Sequence, residues 1–196
     1  MQRQELVNSQ PVDSEVIIET RELSRVYPGV VALDNVNYRV YRNKVNVLIG
    51  ENGAGKSTMM KMLAGVETPS SGQIILDGAP VTLSSTHQAE KQGISIIFQE
   101  LNLFPNMNVM DNIFMANEFF QKGKINEKYQ YELAKSLLER LELDVDPYTQ
   151  LGELGIGHQQ LVEIARALSK DTRVLIMDEP TSALSQSEVK KIGRAH

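Results

Sequence analysis

Apolar residues occur along the chain in short runs and in alternation with polar ones, and both patterns predict strands. The runs at residues 16–18 and 94–98 indicate strands, and those at 45–49 and 173–177 predict strands that are buried. Residues 32–41 alternate between apolar and polar side chains, which is typical of an antiparallel strand with one exposed face. The sequence therefore predicts strands of two kinds, buried and half-exposed.

Residues 73–83 are predicted to form a β-hairpin. Strand-like stretches at 73–76 and 80–83 flank Asp77-Gly78, a dipeptide that favours a tight turn because both positions tolerate a positive φ. This hairpin adds to the antiparallel part of the fold.

Four helices are predicted between and after these strands, the first at residues 59–64. Residues 84–92 favour a short helix, and residues 158–169 favour a longer one. Between them, Asn126 can cap a helix at residues 127–141, in which leucines recur every four residues and form one apolar stripe.

A glycine-rich loop follows the predicted strand at 45–49 and precedes a helix-like stretch. Its spacing, Gly-x-x-x-x-Gly-Lys-Ser, is that of a phosphate-binding loop, in which backbone N–H groups and a helix N-terminus surround an anion. Lys56 would reach the β- and γ-phosphates of a nucleotide, and the hydroxyl of Ser57 would bind magnesium. The alternative is a chance glycine-rich turn between a strand and a helix. The candidate nucleotide-binding residues are Gly50, Glu51, Asn52, Gly53, Ala54, Gly55, Lys56, Ser57 and Thr58.

Two other strand ends carry candidate catalytic groups. Asp178 and Glu179 follow the run at 173–177, where Asp178 could anchor magnesium through water and Glu179 could polarise an attacking water molecule. The alternative is an acidic pair that only ends a strand. Gln99 follows the strand at 94–98, so a parallel sheet would place it at the ligand-binding edge, where it could sense the γ-phosphate through magnesium or water.

For several aromatic residues, a histidine and the methionines, the sequence allows both a structural and a functional role. Tyr27 could stack on adenine, or it could be an ordinary turn aromatic. His158 is interpreted as a residue at a helix start rather than as a base or a ligand. The methionine and phenylalanine residues between 107 and 120 could form local core or an adaptable surface for a partner helix.

The composition excludes several classes of function. The chain has 196 residues, no cysteine and a formal net charge of −5, so it has no thiol chemistry and is not suited to broad nucleic-acid binding. No apolar run approaches the ~20 residues that span a bilayer. Residues 1–15 are polar without the apolar core of a signal peptide and are interpreted as a disordered lead-in. We therefore expect a cytoplasmic protein.

Taken together, the motifs resemble those of the ATP-binding subunits of ABC transporters. The phosphate-binding loop, Gln99 and the Asp178-Glu179 pair occur in that family's order, and the resemblance runs from about residue 17 to 189. The stretches at 27–33 and 100–113 resemble the bacterial sugar-import branch. The segment that resembles the family's signature, here called the signature segment, is Leu154, Gly155, Ile156, Gly157 and His158.

The resemblance implies an α/β fold: a P-loop NTPase core with a mainly parallel sheet, an antiparallel β subdomain and an inserted α-helical subdomain. Its implied boundaries are a core at 16–100 and 170–189 and a helical subdomain at about 101–169. Residues 190–196 do not match the family and are interpreted as a foreign tail on a truncated reading frame. Because a strand and the second ATP-binding half of the family are absent, we expect a gap in the sheet and a chain that is not a competent ATPase alone.

The resemblance also implies a mechanism and partners. Two such domains close head to tail on two ATP molecules with magnesium, and the signature segment of each covers the γ-phosphate of the other. Tyr27 would stack on adenine, Asp178 would hold the ion together with Ser57 and Gln99, and Glu179 would be the catalytic base. Residues 101–120 would face a membrane permease. The implied partners are the permease, a second ATP-binding domain and, indirectly, a periplasmic sugar-binding protein, with no nucleic acid, in a cytoplasmic complex on the inner membrane face.

One position departs from the family pattern within its signature. The family has serine where this chain has Gly155, so the hydroxyl that bonds the γ-phosphate is missing. Such a charge-assisted hydrogen bond contributes about 1.5–3 kcal/mol, so we expect weaker closure of the two domains and slower ATP hydrolysis.

Two alternative functions remain for the chain: an ABC ATPase that acts outside transport, or a non-functional fragment that at best binds ATP.

Overall fold

The computed structural model describes residues 15–178 and divides the chain into two compact units, Met1–Ser84 and Ser85–His196. The predicted lead-in before residue 15, Glu179 and the predicted tail at 190–196 lie outside the described residues.

From residue 15 onward, the first unit contains an antiparallel sheet and one helix. Its elements are β1 (Val16–Tyr27), β2 (Val30–Tyr41), α1 (Lys56–Leu63), β3 (Ser71–Leu76) and β4 (Ala79–Val81). The strand order is β2-β1-β3-β4, and all neighbours are antiparallel. The predicted strands at 16–18 and 32–41 are confirmed, although β1 extends much further, to Tyr27. The buried apolar residues of the unit come mainly from β1, β3 and α1.

The predicted hairpin turn is confirmed between β3 and β4. Asp77 has φ 51° and Gly78 has φ 78°, which are the two positive angles that a two-residue hairpin turn of this twist requires.

The prediction of a buried strand at 45–49 is wrong. These residues form no strand, and the side chains of Val45, Val47 and Ile49 are 80%, 66% and 87% exposed. An apolar run becomes a strand only when neighbouring strands satisfy its N–H and C=O groups, and no strand within residues 15–178 pairs with this segment. Instead, the side-chain amide of Asn46 donates a hydrogen bond of 2.9 Å to the carbonyl oxygen of Tyr41.

The second unit contains a short parallel sheet, a hairpin and four helices among its described residues. Its elements are α2 (Thr86–Lys91), β5 (Ile94–Ile97), α3 (Val109–Phe114), β6 (Phe120–Gln121), β7 (Lys124–Ile125), α4 (Glu127–Arg140), a 3-10 turn (Leu151–Glu153), α5 (Ile156–Leu168) and β8 (Val174–Met177). Strands β5 and β8 run parallel, and β6 and β7 form the antiparallel hairpin.

Helices α3, α4 and α5 enclose the core of this unit. Met110, Phe114, Leu138 and Leu161 are among its buried residues. The local-core interpretation of the stretch at 107–120 therefore holds for Met110 and Phe114, whereas Phe120 is exposed.

Local capping signals set the helix boundaries. The side-chain oxygen of Asn126 accepts a hydrogen bond of 3.2 Å from the N–H of Tyr129, which confirms the predicted cap of α4. Helix α5 begins at Ile156, two residues before its predicted start. None of the helices within residues 15–178 combines the length and hydrophobicity that crossing a membrane requires.

The predicted burial of the strand at 173–177 is only partly correct. Within β8, Ile176 is buried, whereas Val174, Leu175 and Met177 are half-buried. Among the described strands β8 has a single neighbour, β5, so part of its surface remains open.

Candidate functional site

The phosphate-binding loop has the backbone geometry that its glycines predict. Gly53 and Gly55 have φ 82° and 86°, a conformation that other residues adopt only at a cost. A Cβ atom at Gly55 would lie 2.4 Å from the carbonyl oxygen of Ala32, so the loop also approaches β2 too closely for a side chain there. Within the loop, the N–H of Ala54 donates 3.1 Å to the carbonyl oxygen of Glu51.

Lys56 brings a positive charge to this loop. It is the first residue of α1, and its ammonium group donates hydrogen bonds of 2.8 Å to the carbonyl oxygens of Gly50 and Glu51. The first turn of α1 contains no acidic residue, so the partial positive charge of the helix N-terminus is not cancelled. An exposed loop, an ammonium group and a helix N-terminus together fit a phosphate group.

The first turn of α1 also supplies hard oxygen donors. Ser57 is exposed and Thr58 is half-buried. Hydroxyl oxygen suits magnesium, which keeps several waters and takes few protein ligands. The residues present therefore fit this ion, although residues 15–178 contain no cluster of three or more His, Asp or Glu.

Tyr27 ends β1 in the same unit and lies opposite Val30 of β2. Its hydroxyl donates a hydrogen bond to Glu67, and the guanidinium carbon of Arg25 lies 4.8 Å from the ring centroid. Val26, Val30 and Val31 around this hairpin tip are exposed. The tip thus presents an aromatic ring among exposed apolar side chains, a surface suited to a planar base.

In the second unit, Gln99 and Asp178 lie at one edge of the parallel sheet. The register pairs Ile97 with Met177, and the N–H of Asp178 donates 3.1 Å to the carbonyl oxygen of Ile97. Gln99 is exposed and Asp178 is half-buried. The structure therefore brings these two predicted residues to the carboxyl ends of adjacent parallel strands, where ligands bind in open α/β sheets. Glu179, the next residue, lies outside the described part.

The signature segment forms the start of α5. Gly155 is the N-cap residue, with φ −64° and ψ 155°, and a Cβ atom placed there would meet no heavy atom within 4 Å. Ile156 and His158 are exposed in the first turn, and Gly157 is half-buried. The side-chain amide of Gln159 donates 2.8 Å to the carbonyl oxygen of Leu154 and fixes the entry to the helix.

Sequence reasoning missed two sets of supporting residues. Arg25 and Glu67 surround Tyr27 but are 42 positions apart, so no local pattern relates them. Glu163 could have been noticed, because it is a charged residue within the apolar run of α5. It is buried, and this burial raises the pKa of its carboxyl group, an effect that hydrogen bonding from Asn102 and the charge of Arg166 oppose.

Comparison with protein families gives one match. A family model described as ABC transporter matches residues 33–182, which run from within β2 through β8 and leave out β1.

Curated relatives are similar over nearly the whole chain. The xylose import ATP-binding protein XylG of Thermoanaerobacter pseudethanolicus is 49% identical over 181 residues, covering 91% of this chain and 36% of that protein. The ribose import ATP-binding protein RbsA 1 of Rubrobacter xylanophilus is 45% identical over 178 residues, with the same two coverages, 91% and 36%. The chain thus spans about a third of the length of these relatives.

Solved structures agree with the predicted fold class. CbiO1 of Clostridium perfringens, part of an ABC transporter complex, matches with TM-score 0.75 and 30% identity over 91% of this chain and 71% of its own. An ATP-binding cassette of an ABC transporter in its ADP conformation matches with TM-score 0.75 and 26% identity. The match covers 90% of this chain and 74% of the cassette. These matches confirm an α/β fold with a P-loop NTPase core.

Proposed function

The chain belongs to the ABC transporter family, and from that premise we propose that it binds ATP with magnesium and hydrolyses it to power the import of a sugar. The observation that carries this proposal is the convergence of the Lys56 ammonium group on the carbonyl oxygens of Gly50 and Glu51, within a loop whose Gly55 leaves no room for a side chain. A bound phosphate chain would replace the two carbonyls as the partner of the ammonium group.

The proposed hydrolytic step uses residues that follow two strand-forming runs in the sequence. Glu179 takes a proton from a water molecule whose oxygen bonds to the γ-phosphorus. The bond from that phosphorus to the bridging oxygen of the β-phosphate breaks, which yields ADP and inorganic phosphate. By the resemblance, Gln99 would contact the γ-phosphate through the ion or the water, and Asp178 and Ser57 would hold magnesium, which would neutralise the charge that develops on the phosphates.

The active assembly requires other subunits. We assign the signature segment, residues 154–158, to the γ-phosphate of an ATP bound by a second ATP-binding domain, where the N-terminus of α5 favours negative charge. A membrane permease would contact the region at 101–120, and a periplasmic binding protein would deliver the sugar. In this proposal the chain would lie on the cytoplasmic face of the membrane, held there by the permease.

The sugar-import assignment is supported by the names of the relatives. XylG is named for xylose import, RbsA 1 for ribose import and AraG of Geobacillus stearothermophilus for L-arabinose transport, and these are 45–49% identical to the chain. Because several sugars occur among them, the proposal extends to a sugar and not to a particular one.

Nucleotide binding is the first test. The affinity of the 196-residue chain for Mg-ATP would be measured by calorimetry, with Lys56→Ala as the test variant and Lys61→Ala, in the last turn of the same helix, as the matched control. We expect binding to be lost in Lys56→Ala and retained in Lys61→Ala. Equal affinity of all three proteins, or no binding by the unmodified chain, would contradict the proposal.

Hydrolysis is tested separately by the release of inorganic phosphate. We expect release when the chain is combined with a permease and a second ATP-binding domain, and its loss in Glu179→Gln. Binding without any release in that assembly would reduce the function to ATP binding.

A further inference from the structure

Three side chains of the first unit form a closed group around the aromatic ring of Tyr27. Its hydroxyl donates to the carboxylate of Glu67, and Nε of Arg25 lies 3.3 Å from the same carboxylate oxygen in an ion pair. Arg25 also contacts the ring of Tyr27 in a cation–π arrangement, because its guanidinium carbon lies over the ring, 4.8 Å from the centroid. Each member of the group therefore contacts both of the others.

The position of Arg25 is itself fixed by further contacts. One terminal nitrogen donates 2.7 Å to the carbonyl oxygen of Thr68, and its side chain is only 24% exposed. The side chain of Glu67 is 21% exposed, so the ion pair is partly withdrawn from water and is screened less than a surface pair. A guanidinium group held in this way covers one face of the tyrosine ring persistently.

This arrangement leaves one mode of ligand contact for Tyr27. Its hydroxyl is engaged by Glu67, and one ring face is covered by Arg25. The remaining recognition element is the opposite face of the ring, and Val30, which pairs with Tyr27 across the hairpin, is 60% exposed. A flat, apolar surface of this kind suits stacking of a planar base.

The group is also tied to the helix that carries the phosphate-binding lysine. The N–H groups of Val66 and Glu67 donate hydrogen bonds of 2.8 and 3.3 Å, respectively, to the carbonyl oxygen of Lys61, in the last turn of α1. The hydroxyl oxygen of Ser70 accepts a hydrogen bond of 3.0 Å from the N–H of Val26. This bond connects the segment after α1 to the end of β1. The ring at 27 and the ammonium group at 56 are thus attached to the two ends of one short helix.

We propose that Arg25 and Glu67 are positioning residues for base recognition: they hold the ring of Tyr27 in the orientation that stacks on adenine while Lys56 holds the phosphates. This inference rests on the proposed ATP binding. A ring that is already oriented loses little freedom when the base binds, and such preorganisation increases affinity. The side-chain contacts of Arg25 and Glu67 are made with Thr68, with Tyr27 and with each other, and not with the phosphate-binding loop, so we expect their contribution to be confined to ligands that carry a base.

The test compares ligands with and without a base. Affinities for Mg-ATP and for magnesium tripolyphosphate would be measured by calorimetry for the full chain and for Arg25→Ala and Glu67→Gln. We expect affinity for ATP to fall by about 3- to 10-fold in each variant, the range for one immobilised side chain, and affinity for tripolyphosphate to be unchanged. Arg21→Ala is the matched control, because it breaks an exposed ion pair with Glu19 on the same strand.

A double-mutant cycle separates positioning from general damage. In the background of Tyr27→Ala, the further change Arg25→Ala should cause no additional loss of ATP affinity, because the ring that it positions is gone. Tyr27→Phe, which keeps the ring and removes the bond to Glu67, should lose less than Tyr27→Ala.

The outcomes distinguish this inference from the proposed function. If the unmodified chain binds neither ligand, ATP binding fails and this inference fails with it. If it binds ATP and Arg25→Ala binds it equally well, only the positioning role is overturned. Equal losses for ATP and tripolyphosphate would likewise overturn it, since they would indicate a structural disturbance of the loop.

Discussion

The guanidinium group of Arg166 donates a hydrogen bond of 2.9 Å to the carbonyl oxygen of Asn102, three residues after Gln99. The backbone N–H of Asn102 donates a hydrogen bond of 3.4 Å to the carboxylate of Glu163, which lies one helical turn from Arg166 on α5. Helix α5 begins at the signature segment, so one helix connects that segment to the residues that follow Gln99. The other carboxylate oxygen of Glu163 is buried and has no hydrogen-bond partner among the described residues.

Replacing Glu163 should change how stability depends on pH. Burial raises the pKa of Glu163 in the folded state above its unfolded value, so its contribution to stability is fully present below the unfolded pKa and is lost as pH rises through the folded pKa. Glu163→Gln removes this loss, and we expect its advantage in unfolding free energy over the unmodified chain to grow with pH across that window and then level off. Urea unfolding at a series of pH values measures this difference.

Glu139→Gln serves as the control for that measurement, because Glu139 is exposed on α4. Its difference from the unmodified chain should not follow the same curve. A constant difference between Glu163→Gln and the unmodified chain at every pH would contradict the prediction.

Gly155→Ser should stabilise α5 and accelerate hydrolysis. Gly155 has N-cap backbone angles and open space for a Cβ atom, so a serine hydroxyl can accept a hydrogen bond from the first turn. We expect a gain of roughly a few tenths of a kcal/mol in unfolding free energy from the cap. In the assembled transporter the same hydroxyl adds a bond to the γ-phosphate, so phosphate release should increase.

The control for the hydroxyl is Gly155→Ala, which adds the same Cβ atom without the oxygen. It should gain neither stability nor activity. An equal increase in both variants would show that the hydroxyl is not responsible.

Gly53 and Gly55 form a natural pair for testing the phosphate-binding loop. Both have positive φ, and an alanine in that conformation costs about 1–2 kcal/mol. Only Gly55 also approaches the backbone of Ala32, whereas a Cβ atom at Gly53 meets nothing within 4 Å. Gly55→Ala should therefore lose clearly more unfolding free energy, measured by urea denaturation, and more ATP affinity than Gly53→Ala. Similar losses in the two variants would argue against the close approach.

Asn112 should be among the most sensitive polar residues of the helical core. It is fully buried; its side-chain oxygen accepts 2.8 Å from the N–H of Phe104, and its amide donates 3.0 Å to the carbonyl oxygen of the same residue. Asn112→Ala leaves the N–H of Phe104 without its partner, at a cost of about 1–3 kcal/mol, whereas the carbonyl oxygen keeps its hydrogen bond of 3.1 Å from the N–H of Met107. Asn126→Ala, which removes one helix cap, should cost about 1 kcal/mol. Thermal unfolding that ranks the two variants in the opposite order would contradict this assignment.

Local signals were predictable from the sequence. The positive φ angles of Gly53 and Gly55, the turn at Asp77-Gly78 and the cap at Asn126 all follow from residues that lie close together in the chain. The parallel sheet that brings Gln99 and Asp178 to one edge was implied by the family resemblance.

Features that depend on distant partners were not predictable in this way. The apolar run at 45–49 has the composition of a buried strand, yet burial requires a neighbouring strand that composition cannot supply. Arg25 and Glu67 meet at Tyr27 only because β1 and the segment after α1 are joined in three dimensions. The start of α5 at Ile156 was missed because glycine at the N-cap gives a weaker signal than serine.

The exposed segment at 45–49 also has a consequence for the protein in solution. Val45, Val47 and Ile49 present β-branched side chains to water next to backbone groups that pair with no described strand. Such a segment can add to an open edge of another molecule, which is how many aggregates begin. Protein concentration would then control self-association, and dilution would favour the dispersed monomer.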